Sequence, residues 1–121
     1  MAGKKSVCVD FDGVIHSYSS GWTGYDYIKD PPVVGSFEAI EKYLQHFTVY
    51  IFSTRSMTGD RGIEGMKKWF IRHGFNPDKL EKIKFATKKP QSTLYIDDRG
   101  FNFMGKFPDV KYIKEYKPWN K

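Results

Sequence analysis

A chain of 121 residues, 40% hydrophobic and 17% aromatic, is sized for one domain with its own core and is too apolar for intrinsic disorder. No run approaches the roughly 18–20 uninterrupted apolar residues that span a bilayer, and the opening Met-Ala-Gly-Lys-Lys-Ser lacks a secretory apolar region, so a soluble, cytoplasmic protein with no membrane partner is the expectation. A net charge of +6 and a pI near 9.3 favour anionic partners, although the lysines are scattered rather than blocked.

Residues Val7–Phe11 form a short apolar run ending in Asp and Gly, which predicts a buried first strand. The only cysteine, Cys8, lies in it, excludes an internal disulfide and reads as a small core hydrophobe. Residues 13–34, rich in Gly, Ser, Tyr, Trp and Pro, predict a long ordered loop, a flap over the body. Ser36 is placed to cap a helix through Phe37, Ile40 and Leu44. Thr48–Phe52 is a second buried strand, β-branched and aromatic. A helix over Ile63–His73 sets Ile63, Met66 and Phe70 on one face and stops at Gly74. Lys82–Ala86 and Thr93–Ile96 read as strands three and four, and Val110–Ile113, with its alternating lysines, as a fifth at an edge. Alternating strands and helices predict an α/β fold, a Rossmann-like three-layer sandwich with a mainly parallel sheet, in one domain over residues 1–121.

Four sets of polar residues follow four of these strands. Asp10 and Asp12 come after the first, Ser53 and Arg55 after the second, Lys89 after the third, and Asp97 with Asp98 after the fourth. Ligands of open parallel sheets bind outside the carboxyl ends of the strands, so the four sets should share one crevice. The residue types suit phosphoryl transfer. One carboxylate can face phosphorus and another the leaving group, and paired acids attract a hard cation such as Mg²⁺. Ser53 and Lys89 can hold phosphoryl oxygens, and the Arg55 fork matches a phosphate.

The segment Val9-Asp10-Phe11-Asp12-Gly13-Val14 resembles the first motif of the haloacid dehalogenase-like (HAD) phosphohydrolases. Phe52-Ser53-Thr54-Arg55 is similar to their second motif, Lys88-Lys89-Pro90 to the lysine motif, and Tyr95-Ile96-Asp97-Asp98-Arg99 to the acidic fourth. The motifs stand in family order across residues 7–99, and Ser-x-Arg with Ile-Asp-Asp-Arg looks most like polynucleotide kinase 3′-phosphatase domains and related small phage and bacterial proteins. The resemblance implies a HAD core and an aspartyl-phosphate mechanism: Asp10 the nucleophile and Asp12 the acid and base, its backbone carbonyl also touching Mg²⁺. It makes Asp98 the main metal ligand, with Asp97 beside or behind it, and Ser53 and Lys89 the phosphoryl binders. Larger members carry a cap domain; the 13–34 loop is too short for one, so a capless, open site able to admit a nucleotide or a 3′-phosphorylated nucleic-acid end is expected, unless an oligomer covers it.

Bland readings stand beside these. Paired aspartates also cap turns, and a receiver domain uses similar residues, but there the lysine comes last, so motif order rejects it. Gly13, Thr54, His16 and Trp22 join the substrate-binding set; for His16 an ordinary loop role competes equally, and for Trp22 and Tyr18 stacking on a base competes with holding the loop to the body. Arg61 and Arg99 read as surface ion-pairing residues, His46 and His73 as helix-end residues, and Trp69 and Trp119 as packing residues. The functional alternatives are a non-catalytic module that binds metal and an anion, and a phosphatase for sugar phosphates or phosphoproteins.

Overall fold

The computed structural model describes residues 5–24, 27–97, 101–102 and 107–115. Five strands, β1 (Ser6–Val9), β2 (Thr48–Phe52), β3 (Lys84–Ala86), β4 (Leu94–Asp97) and β5 (Phe101–Asn102), form one sheet in the order β3-β2-β1-β4-β5. Every pairing is parallel, with Val7 opposite both Val49 and Leu94, and Val9 opposite both Ile51 and Ile96. The helices are α1 (Ser36–His46), α2 (Asp60–Arg72), α3 (Pro77–Leu80) and α4 (Val110–Glu115). The α/β class and parallel sheet expected from the sequence are present. No helix among the described residues is long and apolar enough to cross a membrane.

Side chains alternate across a strand, so Val7, Val9, Val49, Ile51, Leu94 and Ile96 share one face by register. They join Ile40 and Tyr43 of α1, Met66, Trp69 and Phe70 of α2, Leu80 of α3 and Ile113 of α4 in one buried cluster. Phe37 of α1 stacks on Phe70 of α2 at 5.4 Å, which puts these two helices side by side on that face. Cys8, Tyr50 and Tyr95 occupy the other face, Cys8 buried and the tyrosines half-buried. The third layer of the expected sandwich is thus not seen among the described residues. The β3–β4 connection, residues 87–93, contains no helix and is pinned by Tyr95, whose hydroxyl donates to Pro90 O and accepts from Ser92 N–H.

Two further expectations are corrected. Residues 110–113 are helical, not a strand: Asp109 Oδ1 accepts from Tyr112 N–H at 2.8 Å, and Ile113 is fully buried. The fifth strand is Phe101–Asn102 instead. Ser36 is the first residue of α1 rather than its cap; Gly35 holds the cap position and no side-chain cap bond forms there. The stop at Gly74 is as expected. Gly74 takes φ 90°, its N–H donates to Ile71 O at 3.0 Å, and Phe75 N–H donates to Phe70 O at 2.9 Å. That pair of bonds is a Schellman ending, with Phe75 and Phe70 packing at 5.0 Å to seal it.

The 13–34 segment is not a loose flap. Ile15 and Ile28 sit in the core, and Val33 N–H donates to Ile15 O at 2.7 Å. α2 staples the segment down, because Trp69 Nε1 donates to Asp30 O at 2.8 Å and Arg72 Nη2 donates to Ile28 O. Trp69 also meets Phe11, His16, Phe37 and Phe70 edge-on. Trp69→Ala is therefore expected to cost about 3–5 kcal/mol, a lowered urea midpoint at unchanged slope. A loss under about 1 kcal/mol would show that the indole is not the staple.

Candidate active site

The strand order reverses between β1 and β4, the switch point where open α/β sheets form their ligand crevice. Asp10 sits there. Its N–H donates to Ile96 O of β4 at 3.3 Å, and its Oδ1 accepts from Phe11 N–H at 2.8 Å, which fixes the carboxylate plane. The chain then coils tightly: the N–H groups of Val14, Ile15 and His16 all point at Phe11 O, at 3.2, 2.9 and 2.9 Å. Gly13 makes that turn possible at φ 83°, a conformation that disfavours other residues. The coil brings Asp12 back beside its neighbour in the site.

Asp12 is clamped from two sides. Arg55 Nε donates to Oδ2 at 3.0 Å and Oδ1 at 3.2 Å, and His16 Nδ1 lies 2.8 Å from Oδ1. His16 is buried, and its Nε2 accepts from Asp30 N–H at 3.2 Å, so the network assigns the ring proton to Nδ1, facing Asp12. Asp30 is itself held by Ser20, whose Oγ and N–H both donate to it, bonds that pull its carboxyl below the usual carboxylate range. Arg55 is fully buried, donates Nη1–H to Gly24 O, and places Cζ 4.6 Å from the Trp22 ring centre. Arg55 and His16, expected to meet substrate, are thus placed as holders of Asp12. Gly13 shapes the turn and is not on the cavity wall.

Ser53 follows β2 and is buried. Its N–H donates to Ser56 Oγ at 3.0 Å, Ser56 Oγ donates back to Ser53 O at 2.7 Å, and Ser53 Oγ accepts from Arg55 N–H at 3.1 Å. With one lone pair of Oγ taken by Arg55 N–H, Ser53 keeps its hydroxyl proton to donate to a ligand. One cavity of about 430 Å³ is lined by Asp10, Asp12, Tyr18, Trp22, Ser53 and Thr54. A cavity of about 540 Å³ between α1 and residues 107–111 shares none of these residues. Tyr18 holds φ 60° although it is not glycine, strain that costs about 1–3 kcal/mol and gathers at functional sites.

Lys89 and Asp97 form a neighbouring pair rather than part of that wall. Lys89 Nζ lies 3.5 Å from Asp97 Oδ2 and 4.5 Å from the Tyr95 ring centre. The buried Cys8 thiol registers the grouping: burial raises its pKa to about 12, with Lys89 pulling it down and Asp97 and Asp10 pushing it up. Cys8 is accordingly a core residue, not a nucleophile. Asp98 and Arg99 lie outside the described residues, as does Trp119. The carboxylates of Asp10 and Asp12 are donors of the kind Mg²⁺ takes. Among the described residues no three His, Cys, Asp or Glu gather to hold a metal, and Asp98 lies outside those residues; Asp10 and Asp12 match the ion in kind, which commonly takes one or two carboxylates with water and phosphate for the rest.

No family model matches the sequence, and no curated protein matches it.

Ser56, Asp30 and Trp69 hold the site without having been singled out for it. Only Ser56 left a local signal, a serine three residues beyond Ser53, the spacing of a side chain closing its own turn.

Proposed function

We propose that this chain is a Mg²⁺-dependent phosphomonoesterase of the capless HAD type, working through a phosphoaspartate on Asp10, with a nucleotide or a 3′-phosphorylated nucleic-acid end as substrate. The supporting observation is the shared wall of Asp10, Asp12 and Ser53, residues from two strand ends on one cavity at the sheet's switch point. In this reading an Asp10 carboxylate oxygen attacks phosphorus, an O–P bond forms, and the bond to the leaving oxygen breaks. Asp12, held by Arg55 and His16, gives the leaving oxygen a proton and then takes one from the water that cleaves the acyl phosphate. Ser53 donates its hydroxyl proton to a phosphoryl oxygen, and Lys89 adds positive charge nearby.

Asp10, the Asp12 backbone carbonyl and Asp98, with Asp97 beside it, are the proposed holders of Mg²⁺. A bound Mg²⁺ offsets the repulsion between an anionic nucleophile and an anionic phosphate. The substrate class rests on the +6 charge.

The test is phosphate release from an aryl phosphate, nucleotides, a 3′-phosphorylated oligonucleotide, a sugar phosphate and a phosphopeptide, with and without chelator. Chelation is expected to lower the rate at least about 100-fold. Full activity in excess chelator removes the metal, preference for a sugar phosphate removes the substrate class, and tight binding with no hydrolysis favours the binding module.

A further inference from the structure

Most of the 13–34 segment's contacts explain how it stays attached to the body. Trp22 is tied to the body through Arg55 and also faces the cavity. The chain buries Trp69 completely, yet leaves Trp22 47% exposed on the wall of the cavity that holds Asp10 and Asp12. A large apolar ring left half in water stands beside two carboxylates, in a segment with buried anchors at Ile15 and Ile28.

The ring is also braced. Arg55 lies over it at 4.6 Å, and the same guanidinium is fixed by Asp12 and by Gly24 O, two residues beyond Trp22. Arg55 therefore ties the indole to Asp12. Tyr18, on the same wall, is held in its left-handed conformation with its ring edge-on to buried His16 at 5.9 Å. A pre-set aromatic surface is what a planar ring needs, since little freedom is lost when it docks.

We propose that Trp22 is the stacking site for the base of a nucleotide unit whose phosphate lies at Asp10, with Tyr18 as the second aromatic of that wall and Arg55 as the brace. The proposal rests on the phosphatase reading for the position of the phosphate. It adds a leaving-group subsite that the motif residues do not supply. The shared chemistry is a nucleobase attached to a phosphomonoester, and it can come from a mononucleotide or from a strand end.

The experiment compares a 3′-nucleoside monophosphate with ribose phosphate, and a 3′-phosphorylated oligonucleotide with the same strand ending in an abasic 3′-phosphate. Trp22→Ala is expected to lower kcat/KM about tenfold more on each base-bearing substrate than on its base-free partner, and Trp22→Phe to keep most of that selectivity. Selectivity confined to one pair identifies the source, mononucleotide or strand end. Equal losses on both members of each pair, or a Phe variant as impaired as Ala, overturn the proposal. Calorimetry on Asp10→Asn, with and without Trp22→Ala, reads the same selectivity as binding. If the wild type hydrolyses nothing, the phosphatase reading falls, while the calorimetric ratio still decides the stacking site: a tenfold drop in base preference upholds it and an unchanged ratio sinks it.

Discussion

Asp10→Asn is expected to abolish phosphate release, by about 10⁴- to 10⁶-fold in kcat, with the fold intact. The amide keeps an oxygen to accept the Phe11 N–H bond now made at 2.8 Å, and the backbone bond to Ile96 O does not depend on the side chain. What is lost is the anionic oxygen that forms the bond to phosphorus. The far-UV spectrum and urea midpoint should therefore match the wild type. Acid quenching during turnover should trap an acyl phosphate in the wild type and none in the variant. Activity within tenfold of wild type would rule Asp10 out as nucleophile and with it the covalent mechanism.

Asp12→Asn should show a different pattern. Loss of a positioned acid and base costs about 10²- to 10⁴-fold, and the cost depends on how much the leaving oxygen needs a proton. An alkyl phosphate, whose alkoxide leaves poorly, should suffer the full loss. A nitrophenyl phosphate should still phosphorylate Asp10, then stall because the attacking water has lost its base, so a burst of nitrophenol precedes a slow steady state. The same substitution leaves the buried Arg55 guanidinium, now 3.0 Å from Oδ2, facing a neutral amide. Asp12 is partly solvent-reachable, which limits the accompanying destabilisation to about 1–3 kcal/mol. Kinetics are read well below the unfolding midpoint to separate the two effects. A uniform loss across leaving groups with no burst would sink the assigned role and leave Asp12 a structural partner of Arg55.

Much of the scaffold was legible locally. The apolar runs at residues 7–11 and 48–52, the Gly74 stop and the face of Met66 and Phe70 each carry their own period or terminator, and the structure places them accordingly. Val110–Ile113 was misread because Val110 and Tyr112 alternate with lysines as in a strand, while Val110 and Ile113 are also spaced for a helix; the Asp109 cap was the available signal and it won. The short β3–β4 connection was hidden for a related reason. A parallel crossover ordinarily carries a helix, and nothing in residues 87–93 announces that Tyr95 will hold a short connection in its place.

The sequence by itself determined which chemical groups end up at the carboxyl ends of the strands, because strand, terminus and motif residue are adjacent in the chain. The tertiary structure alone decided what those groups touch. Arg55, whose fork suits a phosphate, and His16 both hold Asp12, and Lys89 lies 3.5 Å from Asp97 and is not on the cavity wall. The buried Arg55 charge must find an opposite partner when the core closes, and which partner comes within reach is a property of packing between distant segments, not of spacing along the chain.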